Sequence, residues 1–324
     1  MIVCITGATG FIGRRLVEAH LKLNDEVRYL TRTNHQPLNG AIAFMGDVNA
    51  TEGVLVPFLK DANVIYHCAG EVESEALMHH THVDGTHNLL HVLEKLSLNK
   101  QKILHWIQLS SCGAYGQNAN SSSVERYVTE SSLDNPNGIY ESTKAKSDEV
   151  TIQFSQKNEW FKYTIFRPTI VFGMGMRSTA IIRLARLIRK RIFFYIRHRN
   201  TIANYVHVDD VVNAMRISVN EKESYNQTFI IANDCLFRDA INAIAEEFAV
   251  LKPNLVINER LLRVVINVFG GWVKLPINHS QIDVMMRQTH YSNQKLCTLL
   301  GWRPLAPAPV QIKLFLNTNM HSDD

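Results

Sequence analysis

The chain has 324 residues, 46% of them hydrophobic and 20% charged, a balance that builds a sizeable core and excludes disorder over most of its length. A formal charge of +4 suits an anionic cofactor or substrate and is too small to argue for a nucleic-acid partner. Five scattered cysteines without a Cys-x-x-Cys pair speak against a disulfide framework or a zinc site, and no uninterrupted apolar run of about 18 residues announces a spanning helix.

The opening residues pass from a short apolar run straight into glycines, unlike a signal peptide, so a cytoplasmic location is expected. In chain order the pattern predicts a strand over 2–6, a helix over 11–22, strands over 27–30 and 41–44, and a short helix over 52–60. A strand follows over 64–68, a long helix over 74–98, and a strand over 103–109. An Asn/Ser-rich loop around 117–123 leads to a helix over 138–157 and a strand over 163–167. Short apolar strands alternating with helices mark a parallel sheet covered on both faces. The second half predicts helices near 177–191, 208–219, 237–249 and 258–270, with strands near 203–206 and 227–232 returning to the main sheet. The apolar stretch 261–273 reads as a buried or lid helix, and 318–324 as a flexible tail.

Residues Gly7, Gly10 and Gly13 punctuate the step from the first strand into the first helix. Gly7 permits the tight turn, Gly10 lets backbone approach a pyrophosphate, and Gly13 allows close helix–strand packing. The intervening Thr9, Phe11 and Ile12 place backbone N–H groups at a helix N-terminus, where the dipole favours an anion. This spacing, Gly-x-x-Gly-x-x-Gly, resembles the extended short-chain dehydrogenase/reductase superfamily, and specifically its NAD(P)-dependent epimerase/dehydratase group. The resemblance extends to about residue 304.

It implies an α/β fold: a Rossmann-type doubly wound parallel sheet with a smaller mixed C-terminal substrate lobe. The expected division is 1–170 plus returning strands about 203–233 for the cofactor, and about 171–202 with 234–317 for the substrate. Asp47 and Val48 stand where the resemblance implies contact with the adenine; the lesser alternative is a plain strand-ending turn. Cys68, Ala69 and Gly70 end the fourth strand, where backbone passes the cofactor ribose. Pro168 and Ile170, in a segment similar to the family's Arg-Pro motif, are placed near the nicotinamide. The box from Tyr205 to Val211, with His207 and Asp209, is read as structural. Thr31 occupies the position where NAD-type relatives carry Asp, and Arg32 follows it; the expected cofactor is therefore NADP rather than NAD.

Tyr140 and Lys144 lie one helical turn apart. A free phenol titrates near ~10, so an adjacent ammonium is expected to favour the phenolate. Lys144 is also expected to hold a cofactor ribose. Ser111, four residues before Tyr115, matches the family's catalytic serine. Ser111, Tyr140 and Lys144 thus form the predicted catalytic set. Dehydratases of the group carry an Asp-Glu pair where this chain has Cys112 and Gly113, and decarboxylating relatives need a Glu at position 113; both chemistries are disfavoured on that ground. His82 stands where relatives have Asn, with either a supporting or a packing role.

Arg183, Arg186, Arg189, Lys190 and Arg191 crowd one helix, followed by Arg197, His198 and Arg199. They form either a solvated basic face or a rim for an anionic substrate or an acidic membrane surface. His79, His80, His82, His87 and His91 lack acidic or cysteine partners at ligand spacing, so no metal is expected. The resemblance implies a homodimer built on the helices near 74–98 and 138–157. The resulting expectation is hydride transfer at a secondary alcohol or ketone of a nucleotide sugar, by an epimerase or reductase. The alternative is a carbonyl reductase like the dihydroflavonol and 3β-hydroxysteroid enzymes, and the third reading is a cofactor sensor without turnover.

Overall fold

The computed structural model describes residues 1–33, 37–96, 102–116, 125–176, 180–198, 200–269, 282, 285, 286 and 288–320. The chain opens with β1 (Ile2–Thr6), α1 (Phe11–Leu21), β2 (Glu26–Thr31), β3 (Ile42–Met45), α2 (Glu52–Leu59) and β4 (Val64–His67). Then come α3 (Glu75–His79), a π turn (His80–Asp84), α4 (Gly85–Leu96) and β5 (Leu104–Leu109). They are followed by β6 (Arg126–Val128), α5 (Ile139–Lys157), β7 (Phe161–Pro168) and β8 (Ile170–Phe172). The second half contributes α6 (Ala180–Arg189), β9 (Tyr195–Ile196), β10 (Ile202–Ala203), β11 (Tyr205–His207), α7 (Val208–Ile217) and β12 (Gln227–Ile231). After these come β13 (Cys235–Leu236), α8 (Phe237–Glu247), β14 (Val256–Ile257), α9 (Glu259–Phe269) and β15 (Thr289–Tyr291). Helices Gln294–Leu300 and Ala308–Met320 complete it.

Seven strands form one parallel sheet in the order β12-β7-β5-β4-β1-β2-β3. The order reverses between β1 and β4, which opens a crevice at their carboxyl ends, the usual ligand position in such sheets. β1 and β4 are apolar and almost wholly buried because helices cover both faces. Leu16 and Val17 of α1 and Val211 and Met215 of α7 pack on one face. Leu55 and Phe58 of α2, Leu89 and Leu93 of α4 and Val150 of α5 pack on the other. A separate apolar cluster joins α6, α8 and the C-terminal helix through Ile181, Ile188, Ile241, Ile244 and Phe315. This is the doubly wound architecture expected from the sequence, with a second lobe of mixed short elements.

Three local expectations need correction. A strand does form near 203–206, yet it does not rejoin the main sheet: β10 pairs with β13, and β11 pairs with β8. The edge beside β7 is already taken by β12, from Gln227 opposite Thr164 to Ile231 opposite Pro168. The long helix expected over 74–98 is broken by the π turn at His80–Asp84, which carries buried His82. The C-terminal helix continues to Met320, through residues expected in the tail; residues 321–324, the loop 117–123 and the end of the 261–273 stretch lie outside the described residues. The basic face of α6 is solvated, with Arg183, Arg186, Arg189, Lys190 and Arg191 all exposed, and Arg199 lies outside the described residues.

Candidate active site

The glycine turn fits a dinucleotide by its shape. Gly7 adopts φ +68°, and a Cβ there would lie 2.6 Å from the Cys68 carbonyl. A Cβ on Gly13 would strike the Gly7 carbonyl oxygen, so only a bare helix can sit this close to the turn. α1 starts on Gly10 without a side-chain cap, with Thr9 and Gly10 exposed and Phe11 and Ile12 half-buried. An uncapped, accessible helix start is ready to receive phosphate oxygens.

The floor of the crevice is already hydrogen-bonded. The Ala69 amide donates to Thr6 Oγ1 at 3.1 Å, and a Cβ on the exposed Gly70 beside it would lie 3.4 Å from His82 Nε2 and 3.7 Å from Lys144 Nζ. Asp47 is exposed and one of its oxygens accepts from the Asn49 amide at 2.9 Å, the strand-ending turn read from the sequence. The Val48 side chain is buried in the core, and its carbonyl accepts from Asn88 at 3.0 Å. Its side chain therefore has no access to a cofactor. Arg32 stands exposed just past β2. Backbone amides of Glu73 and Ser74 hold the Glu71 carboxyl below its usual range, and the Arg32 charge adds to this.

Ser111 caps the short helical turn Cys112–Tyr115, its Oγ accepting from the Gly113 amide at 3.0 Å. That leaves its hydroxyl proton free to point outward. The Lys144 Nζ donates to the Leu109 carbonyl at 2.7 Å, and burial lowers its pKa. The Tyr140 ring meets His82 edge-on at 5.5 Å between centroids. The expected acidification of Tyr140 is absent: burial, then the charges of Glu141 and Asp148, push the phenol up to about 12. The reason is local. The ammonium of Lys144 faces the Leu109 carbonyl rather than the phenol.

His82 has a positioning role that spacing could not show. Its Nε2 accepts from the Glu71 amide at 2.9 Å, so its proton resides on Nδ1, which faces Thr143 Oγ1 at 2.8 Å. The ring thus ties the Gly70–Glu71 loop to the first turns of α5. Burial, then the Lys144 charge, lowers its pKa to about 3 and keeps it neutral. Arg167, read with the Arg-Pro motif, points away from the crevice. It holds Asp134 at 2.6 Å and Asp148 at 3.0 Å and lies over the Tyr115 ring at 4.6 Å. Cys112 donates to the Arg167 carbonyl, and burial pushes its thiol up, which makes it inert.

A cavity of about 260 Å³ opens beside these groups. Its wall includes Ser111, Pro168 and Ile170, as expected, together with Glu141, Asn204 and Tyr291, which sequence spacing did not single out. Tyr140 and Lys144 are not part of this wall; they stand next to it on α5.

The model of the NAD dependent epimerase/dehydratase family matches residues 3–232. The chain is 26% identical over 245 residues to the UDP-glucose 4-epimerase of Vibrio cholerae, covering 71% of this chain and 70% of that one. It is 22% identical over 231 residues to a decarboxylating sterol-4-alpha-carboxylate 3-dehydrogenase of Dictyostelium discoideum, covering 68% of each. The fold superposes on MoeE5 in complex with UDP-glucuronic acid and NAD at a TM-score of 0.76, with 18% identity, 99% of this chain and 100% of that one. With a decarboxylating dehydrogenase among its relatives, the exclusion of dehydration and decarboxylation drawn from Cys112 and Gly113 is not supported. Matched by the family model over most of its length, on the fold and glycine turn described, the chain belongs to the NAD-dependent epimerase/dehydratase family.

Proposed function

We propose that the protein transfers hydride at a secondary alcohol or ketone of a nucleotide sugar, as an epimerase or a reductase. The observation that supports this is that Ser111 and Glu141 line the cavity, while Lys144, on the same helix α5 as Glu141 and Tyr140, donates to the Leu109 carbonyl and lies beside Gly70 at the end of β4. The amides of Phe11 and Ile12 would receive the cofactor's phosphates, Lys144 its ribose, and Arg32 a 2′-phosphate, so NADP is the preferred form. When bound, the oxidised nicotinamide supplies a hydride acceptor and a positive charge.

The residues then divide the proton work. Ser111 Oγ, anchored by the Gly113 amide, donates to the reacting oxygen. With its pKa raised to about 12, Tyr140 is a phenol at neutral pH and donates a proton as a carbonyl is reduced. Oxidation needs the phenolate instead, so cationic charge beside the ring must lower that pKa. A second reading, a carbonyl reductase for an uncharged ketone, is favoured by one fact: among the described residues, no Lys, Arg or His lines the cavity.

Purified protein incubated with nucleotide sugars or ketones, monitored by absorbance of the reduced cofactor, separates the two. Epimerisation converts sugar with no net absorbance change, and reduction consumes reduced cofactor mole for mole. Tyr140→Phe should lower either rate on the order of 10²–10⁴-fold while cofactor binding persists. An unaltered rate in that variant refutes the proposal.

A further inference from the structure

The cavity wall contains a carboxylate where the sequence motif has none. Position 113 is glycine, and a Cβ built there would lie 2.5 Å from Glu141 Cγ and 3.2 Å from Ser111 Oγ. Position 138, which begins α5, is also glycine, and a Cβ there would collide with Glu141 Oε2. Two missing side chains, one on each side, make room for the Glu141 side chain beside Ser111. The residue is half-buried, lines the cavity, and makes no hydrogen bond or ion pair among the described residues. Among the described residues it is the only charged side chain on that wall, which it shares with the neutral polar residues Asn137, Thr169 and Asn204.

A Glu in the first turn of a helix often reaches back to cap the helix start. Glu141 Oε2 does lie against Gly138, but among the described residues no hydrogen bond joins the Gly138 amide to it, so capping does not hold the carboxylate in place. We infer that Glu141 is a specificity-determining residue. It accepts a hydrogen bond from a hydroxyl next to the reacting carbon, and it rejects substrates that present a carboxylate or phosphate there. The inference rests on the proposed function and narrows it: any anionic part of the substrate lies elsewhere, and the reacting end is a neutral polyol. An unpaired carboxylate in a partly closed pocket favours donors and strongly disfavours a second negative charge.

The test compares binding of a UDP-hexose and the matching UDP-hexuronic acid to the cofactor-loaded protein by calorimetry, in wild type, Glu141→Gln and Glu141→Ala. Wild type should prefer the neutral sugar by tenfold or more. Glu141→Gln keeps shape and a hydrogen-bond acceptor but no charge, and should bring the two affinities within about threefold by strengthening the uronic acid. A purely capping role would weaken both ligands equally and leave the ratio intact, which overturns the inference. Turnover of neither ligand, with the binding ratio behaving as stated, overturns the proposed chemistry but not the selection. A wild-type protein that binds neither overturns both.

Discussion

Around the glycine turn the molecule is stitched by buried side-chain hydrogen bonds, whereas the far wall of the cavity is assembled from strands of two or three residues. On the first side Thr6 faces His67 at 2.9 Å, His67 faces Thr86 at 3.0 Å, and Thr86 faces Ser147 at 2.8 Å. Gln108 carries the chain on to Asp148, which Arg167 holds. On the second side β8 pairs with β11, β10 with β13 and β6 with β15, and Asn204 reaches the Thr289 carbonyl at 2.7 Å. Under the function proposed above, the difference separates two tasks. The side that would take the cofactor presents a fixed backbone shape, and a satisfied buried network penalises any other arrangement. The side that would take the substrate can change its lining without disturbing the sheet.

The strongest way to break this comparison is to remove the charge that ends the network. Arg167→Met leaves the Asp148 carboxylate, 2% exposed, without its cationic partner. The expected cost is about 3–5 kcal/mol of unfolding free energy, read as a lower denaturant midpoint. In the lobe, Lys252→Met breaks an ion pair with Glu246 that is about half exposed on both sides, and should leave the denaturant midpoint nearly unchanged. Equal effects from the two variants would show that the buried network does not anchor the cofactor side.

The same contrast explains which features were legible in sequence. Gly7 announces itself because its backbone conformation is one that L side chains rarely adopt, and Gly13 because any side chain would meet the turn. The strand pattern was readable because burial on both faces demands continuous apolar runs. What escaped depends on contacts between distant positions. Arg167 adjoins the predicted site residue Pro168, and its own role shows only when Asp134 and Asp148 are seen to bind it across 33 and 19 positions. Glu141 looks like an ordinary helix-start residue until Gly113 and Gly138 are seen to vacate the space around it. The phenol of Tyr140 is raised by burial and then by the Glu141 and Asp148 charges, while Lys144 bonds a carbonyl, and no spacing rule shows burial or where an ammonium points.

Acid should sharpen the comparison by acting on the stitched side. Burial lowers the pKa of His67 from 6.5 to about 3, with the Lys144 and His82 charges adding. Between those values the unfolded chain binds a proton that the folded one refuses. Stability therefore rises with pH there, and is lost as pH falls from about 6.5 toward 3. His82 and His105 share this sign, each lowered mainly by burial. Thermal midpoints should hold at neutral pH and drop on acidification. In His67→Gln the midpoint at neutral pH should be lower, and the gap to wild type should narrow as acid is added. A gap that stays constant with pH would mean that His67 is not buried as a neutral ring.

The smallest effect concerns the rim of the turn. Arg32 is exposed at the end of β2, outside the buried network, so its replacement should leave the thermal midpoint nearly unchanged. Apart from a small pull on the Glu71 carboxyl, its charge acts on a ligand with negative charge at that edge. Arg32→Asp exchanges attraction for repulsion toward a 2′-phosphate and supplies an acceptor for a 2′-hydroxyl. A difference of ~1.4 kcal/mol is tenfold in affinity, so the ratio of NADP to NAD binding should fall by roughly that factor or more. Titrating both cofactors into both proteins measures it. An unchanged ratio would place the discriminating contact elsewhere on the turn and remove the argument for NADP, while the glycine geometry that receives the pyrophosphate would stand, because no charge on Arg32 is needed to hold it.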